Sequence, residues 1–205
     1  MNTLEIFLST LGFSWTISKL LPYILFLIIG FSFSVIFYKK LKLLKPLKII
    51  ISLAIFVLPF LVYFVYSPIY QGDFSNSGYI VSSENRFPDK KQLTVYVLSN
   101  CPYCIQATSN LVAMMQKDKQ INLEINVLCS NAKEADKYLN LMKGYGLVKV
   151  RSDNPEYLIR HKELLKLTEG QFPTYILSEN KMVLKAWHND TFGVDAMDEI
   201  NQFFK

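Results

Sequence analysis

The apolar residues of this chain fall into two long unbroken runs, followed by a series of short runs broken at regular intervals. From Leu20 to Tyr38 nineteen residues pass without a charge, and from Ile49 to Tyr66 eighteen more do. A helix needs about 20 apolar residues to cross the hydrocarbon core of a bilayer, with about 17 as the lower limit. Each run therefore predicts a transmembrane helix, at 20–38 and 49–66. Both end in tyrosine, which favours the headgroup level. Pro22 stands at the start of the first run, where it costs little, and Pro59 inside the second, where a kink is expected. Ahead of them Leu4, Phe7, Leu8, Leu11 and Trp15 share one helical face. Residues 1–18 thus predict an amphipathic helix, lying on the outer leaflet or packed against the spans or a partner subunit.

Beyond residue 66 the pattern changes. Residues 67–92 are rich in Ser, Asn, Gly and charge and predict a linker, with "GYIVSS" as a short edge strand. From 93 the periodicity alternates between strand and helix. "LTVYVL" (93–98) predicts a buried strand, 102–117 a helix, and "INLEINVL" (121–128) a second strand. In the first helix Ile105, Leu111, Val112 and Met115 recur at helical spacing. Residues 131–143 predict a helix stopped by "GYG". Residues 154–170 predict another, with Asn154 as cap, Pro155 at its first position and Gly170 at its end. Strands follow at 174–178 and 182–187, joined by the turn "ENK", and 195–205 predicts a closing amphipathic helix. The order β-α-β, helices, β-β-α implies an α/β layer structure over 93–205. A domain of just over a hundred residues can bury one core.

Charge sharpens the division. The chain has 22 basic and 17 acidic residues, a formal net charge of +5. Residues 1–66 hold six of the basic residues and one acidic one, whereas 67–205 are balanced. The excess lies mainly in the Lys-rich loop 39–48, between the two apolar runs. Short loops of this kind stay in the cytoplasm, so both termini are expected on the periplasmic or extracytoplasmic side of an inner membrane. A nucleic-acid partner is not expected, because that footprint needs a basic patch on the soluble part. A cleaved leader is not expected either, since only Lys19 precedes the first run and no small-residue cleavage pattern follows it.

Candidate chemistry centres on "NCPYCIQA". Cys101 and Cys104 follow a predicted strand and open a predicted helix. A haem attachment would need histidine at 105, which is isoleucine. A structural zinc site wants four ligands, commonly as paired motifs. Residues 67–205 offer one pair, with Cys129, His161 and His188 besides, so no metal and no cofactor is expected. A disulfide closing so short a loop would hardly constrain the unfolded chain. Redox exchange fits better. Pro102 suits the first helical position, and Cys101 then stands at the N-cap beside unpaired N–H groups and the positive end of the helix dipole. A C-x-x-C motif before a helix favours the thiolate, which is the attacking species. Cys104, one turn in, is placed to resolve a mixed disulfide. Tyr103 shapes the rim beside Cys101. Cys129 reads as a small core residue, and His161 and His188 read as surface residues.

At these residues the chain resembles the thioredoxin superfamily. "CPYC" before "IQA" is similar to the glutaredoxin form of the motif, and "GQFPTYIL" (170–177) to the loop that carries a cis-proline facing the active cysteines. The resemblance covers about 93–205. It implies a thioredoxin-like domain, a cis peptide at Pro173, and a Phe172 backbone that pairs with an incoming peptide. Sixty-eight residues separate Cys104 from Pro173, so the helices between them read as an insertion. No Gly-Gly-Asp type glutathione site follows Pro173. Asn100 stands where thioredoxins carry tryptophan.

The expected function is a membrane-anchored thiol–disulfide oxidoreductase. Its expected partners are protein thiols or disulfides, the lipid bilayer, and a membrane redox partner or complex. Cys101 and Cys104 would be catalytic, and Phe172, Pro173, Pro102 and Tyr103 substrate-binding. The alternatives are a non-catalytic thioredoxin-like subunit or scaffold of a membrane complex, and a Cu(I)-handling protein, since soft thiolates favour Cu(I).

Overall fold

The computed structural model describes residues 2–42, 44–75, 77–79, 87–129, 132–151 and 167–205. The chain divides into two compact units, Met1–Tyr70 and Gln71–Lys205.

The first unit is three helices, α1 (Thr3–Thr10), α2 (Trp15–Lys40) and α3 (Lys45–Tyr66). A capping box starts α1. The Glu5 amide donates to Asn2 Oδ1 at 2.9 Å, and the Asn2 amide to Glu5 Oε2 at 3.0 Å. Ser14 caps α2 by accepting from the Ile17 amide at 3.1 Å, so α2 begins well before the uncharged run and encloses Pro22. Helices α2 and α3 are long and apolar enough to cross a membrane, with mean hydropathies of 2.4 and 2.6. Only 17% and 11% of their apolar windows are buried. Their apolar side chains therefore face outward, which is compatible with two membrane spans. The helices meet where side chains are small. A Cβ on Gly30 would lie 2.2 Å from the Phe56 carbonyl oxygen, and Ser34 Oγ donates to the Ser52 carbonyl at 2.8 Å. Small residues let membrane helices approach closely.

Of the predicted apolar stripe Leu8 and Trp15 are buried, whereas Leu4, Phe7 and Leu11 are exposed, and Glu5 is buried completely. Its carboxylate accepts from Ser67 Oγ at 2.6 Å and from the Tyr63 hydroxyl at 3.3 Å, and Lys19 Nζ lies 3.6 Å away. A buried carboxylate needs such partners, and they hold α1 together with the buried Leu8.

The second unit is built on a five-stranded sheet of β1 (Gln92–Leu98), β2 (Leu123–Leu128), β3 (Leu147–Arg151), β4 (Thr174–Glu179) and β5 (Met182–His188), in the order β3-β2-β1-β4-β5. Strands β1, β2 and β3 run parallel, and β4 and β5 pair antiparallel to their neighbours. Helix α4 (Pro102–Lys117) links β1 to β2. A 3-10 turn (Ala132–Ala135) and α5 (Asp136–Leu141) lead to β3, and α6 (Val194–Phe204) closes the unit. β1 is central and buried along its length except at Leu98, which explains its unbroken β-branched and aromatic run. On α4 the buried stripe is Cys104, Ala107, Thr108, Leu111, Met114 and Met115, with Ala113. Ile105 and Val112 lie at its margin rather than within it.

Two departures from expectation appear. β3 was not predicted; it is an edge strand with Leu147 and Val150 exposed and Lys149 paired to Glu124 at 2.8 Å. The packed unit starts at Gln71, inside the segment expected to be linker. A 3-10 turn (Gln71–Phe74) abuts Gly193, where a Cβ would lie 2.1 Å from the Gly72 carbonyl oxygen. Tyr79 bridges Ala186 through two 2.8 Å backbone hydrogen bonds, and Phe87 joins a core with Tyr96, Leu167, Ile176, Val183 and Ala186. The helix predicted from 154 falls largely outside the described residues, as do His161 and most of "GYIVSS". Gly170 has a positive φ of +71°, two residues after the helical Leu167 and Thr168.

Candidate active site

The turn after β1 delivers Cys101 to the start of α4. The Cys101 amide donates to the Leu98 carbonyl at 3.3 Å, and its own carbonyl accepts from the Ile105 amide at 3.2 Å. Cys101 is extended (φ −87°, ψ 116°) and occupies the N-cap, with Pro102 next. Its sulfur accepts from the Cys104 amide at 3.3 Å. A sulfur at this position replaces the oxygen that usually caps a helix. Cys101 is half-buried and Cys104 wholly buried, and neither is in a disulfide. Burial pushes the Cys104 thiol far above its ordinary value, Cys101 adds to the rise, and the Leu98 backbone opposes it. The two thiols are thus unequal. One is reachable at the helix end, and the other is sealed beneath it on the inward stripe of α4.

Two tyrosines absent from the sequence-level site lie close to the pair. The Tyr138 hydroxyl donates to the Leu98 carbonyl at 2.8 Å and latches the turn that carries Cys101. Tyr175, on β4, is buried completely. Burial raises both phenols well above their usual range, and both thiols add to the rise. Ser99 Oγ also donates to Glu134 Oε2 at 2.6 Å, tying the same turn to the segment before α5. No local motif marks these contacts, because each joins residues more than thirty apart in the chain.

Register places the second half of the site. Tyr96 pairs with Thr174 across β1 and β4, so the end of β1 and the start of β4 share one edge of the sheet. There the Phe172–Pro173 peptide is cis, as the resemblance implies. Pro173 is buried, and Phe172 is partly buried against the core that contains Tyr96 and Ile176. Pro102 is exposed, and Tyr103 is 61% exposed beside Cys101. The loop is braced internally. The Gln171 amide donates to the Thr168 carbonyl at 2.8 Å, and Thr174 Oγ1 to the Gln171 carbonyl at 2.5 Å.

The second unit has a thioredoxin-like fold. No family model and no curated protein matches the sequence. Solved structures similar to the chain include the thioredoxin domain of a thiol-disulfide oxidoreductase from Bacteroides vulgatus, at 16% identity and a TM-score of 0.40, covering 57% of this chain and 81% of that one. A thiol:disulfide interchange protein from Bacteroides sp. matches at 18% identity and a TM-score of 0.44, over 65% and 84% of the two chains. A secreted Mycobacterium tuberculosis disulfide oxidoreductase matches at 11% identity and 0.42, over 56% and 82%. The fold itself is read from the strand order of this chain and the cis peptide before β4.

Among the described residues no three His, Cys, Asp or Glu side chains gather as a metal site. Cys129 is buried at the end of β2. His188 departs from its expected place at the surface. It is the last residue of β5, is 7% exposed, and stacks on Tyr79 with ring centroids 4.5 Å apart.

Proposed function

We propose that this chain is a membrane-anchored thiol–disulfide oxidoreductase acting on protein cysteines on the extracytoplasmic side. The observation that carries the reading is the asymmetry of the CPYC pair, with Cys101 sulfur at the N-cap of α4 and Cys104 buried one turn in. In the reducing direction the Cys101 thiolate attacks a substrate disulfide. One substrate sulfur leaves as thiolate, and a mixed disulfide forms. Cys104 then attacks the Cys101 sulfur and yields its proton to the departing thiol. The substrate gains two electrons, and Cys101–Cys104 becomes the disulfide. The same steps in reverse oxidise a substrate dithiol. A membrane redox partner would reset the pair. The Phe172 backbone and Pro173 present the substrate strand, with Pro102 and Tyr103 at the rim. Helices α2 and α3 anchor the unit, with the Lys-rich loop in the cytoplasm.

The test is a non-reducing gel of full-length variants in their native membrane. Cys104→Ser should accumulate DTT-sensitive covalent complexes, and Cys101→Ser should accumulate few. Cys129→Ser in the Cys104→Ser background should leave the trapped pattern unaltered. If Cys104→Ser traps nothing while loss of the protein still disrupts a membrane complex, the scaffold reading replaces this one.

A further inference from the structure

We propose that His188 is a positioning residue for the loop that carries Phe172 and Pro173, donating from Nδ1 to hydroxyls on both sides of it. The proposal rests on the peptide-docking reading of that loop. Thr174, the residue after Pro173, is the cross-strand partner of His188, and its Oγ1 lies 3.2 Å from His188 Nδ1. The Tyr79 hydroxyl lies 3.5 Å from the same nitrogen.

Which group donates follows from where the hydroxyl protons already go. Thr174 Oγ1 sits 2.5 Å from the Gln171 carbonyl, and a carbonyl only accepts, so the threonine proton is committed there. The Tyr79 hydroxyl donates to the Leu167 carbonyl at 3.3 Å, and burial together with the Glu169 charge holds that phenol protonated, with only Thr174 opposing. With the hydroxyl protons so placed, each oxygen keeps a lone pair for Nδ1, and one Nδ1 hydrogen serves both. Gln171, Thr174 and Leu167 are all residues of the loop or its approach, so one imidazole N–H braces its entry and its exit.

The ring itself is held in place. Its flat face stacks on Tyr79 at 29°, and the His188 amide donates to Thr191 Oγ1 at 3.1 Å. Nε2 is buried, makes no hydrogen bond among the described residues, and lies 3.5 Å from Glu169 Oε2. Glu169 has φ +51° and opens the turn into the loop. The imidazole thus spans the loop from Glu169 to Thr174, enclosing Gly170, Gln171, Phe172 and Pro173. A backbone that pairs with a substrate strand must be pre-organised to bind it well, and this ring supplies the order without touching substrate.

Two measurements on the full-length protein in detergent micelles test it. The chain has two histidines, so His161→Gln leaves only His188 signals in a long-range proton–nitrogen spectrum. Nδ1 is expected to bear the proton at high pH, and a spectrum with the proton only on Nε2 overturns the proposal. Kinetics form the second measurement. His188→Leu should raise KM for a peptide disulfide about tenfold, the scale of one lost hydrogen bond, with kcat little changed. Exchange with the small disulfide 5,5′-dithiobis(2-nitrobenzoate) should stay at the wild-type rate. His188→Asn, whose amide can donate from the place of Nδ1, should recover most of the loss, and His188→Gln should not. Equal losses on both disulfides, or Asn and Leu variants that behave alike, overturn the positioning role alone. A wild-type protein that exchanges with the small disulfide but never with the peptide overturns the docking reading and this inference with it.

Discussion

Glu5 on α1 and Lys19 on α2 set opposite charges 3.6 Å apart, with their side chains 0% and 6% exposed. Lys19 also donates to the Pro68 carbonyl at 3.2 Å, Asn2 Nδ2 donates to the Tyr63 hydroxyl at 3.0 Å, and the Tyr23 hydroxyl donates to the Ser67 carbonyl. One end of each of the three helices is thereby bound into a polar knot at the far end from the Lys-rich loop.

Removing one partner of a buried pair strands the other charge, which costs about 3–5 kcal/mol, whereas replacing both by apolar groups is often neutral. Glu5→Ala and Lys19→Met should each lower the thermal midpoint of the purified protein. The double variant should recover much of the loss. Equal, additive losses would show that the two residues act independently.

A close approach of α2 and α3 makes a second prediction. A Cβ at Gly30 meets backbone, the Phe56 carbonyl oxygen, rather than a side chain that could swing aside. Gly30→Ala should therefore force the helices apart at a cost of about 1–3 kcal/mol, read as a lower midpoint of unfolding in detergent. Ile28→Ala, at a position 56% exposed, should change it little. The reverse ranking would displace the contact from the hairpin.

Thiol reactivity gives the third. The raised Cys104 thiol stays protonated at neutral pH, and each unit of rise removes about nine-tenths of the thiolate. Iodoacetamide on the reduced, folded protein should label Cys101 and leave Cys104 at least about a hundredfold slower. Peptide mass mapping reads the outcome, and denaturation should equalise the two. Equal labelling in the folded state contradicts the sealed position of Cys104.

Sidedness gives the fourth. In a background lacking Cys101, Cys104 and Cys129, Ser77→Cys should react with an impermeant maleimide in spheroplasts, and Leu44→Cys should not. Both positions are exposed, so access is decided by the membrane. Labelling only at residue 44 would place the CPYC pair in the cytoplasm.

The features legible in the sequence were those written in consecutive residues. Cys101, Pro102 and Cys104 announce a capped helix after a strand, and Pro173-Thr174 announces the loop opposite. The buried β1 is a plain apolar run. What escaped depends on contacts across the chain. "LVKVR" lacks a buried face of its own and becomes β3 only beside β2. The polar stretch from Gln71 resembles a tether by composition, yet the absence of a side chain at Gly72 and at Gly193 lets it lie flat on the second unit. His188 reads as a surface residue because its pairing with Thr174 and its stack on Tyr79 join residues far apart in the chain. Glu5, the one acid before the first span, is buried through Lys19, Tyr63 and Ser67, partners that the pattern of α1 alone does not show.

The burial of Cys104 directly under the Cys101 sulfur also decides how the site meets peroxide. An oxidant arriving from solvent finds Cys101 alone and converts it to a sulfenic acid, releasing water. The thiol one turn away then condenses with that sulfenic acid, expels a second water, and leaves an ordinary disulfide. The irreversible sulfinic and sulfonic states need a second oxidant before this condensation, and the neighbouring thiol is always in place to forestall it. In the proposed cycle, the arrangement that separates attacker from resolver would also return an oxidised Cys101 to the disulfide that the cycle already uses.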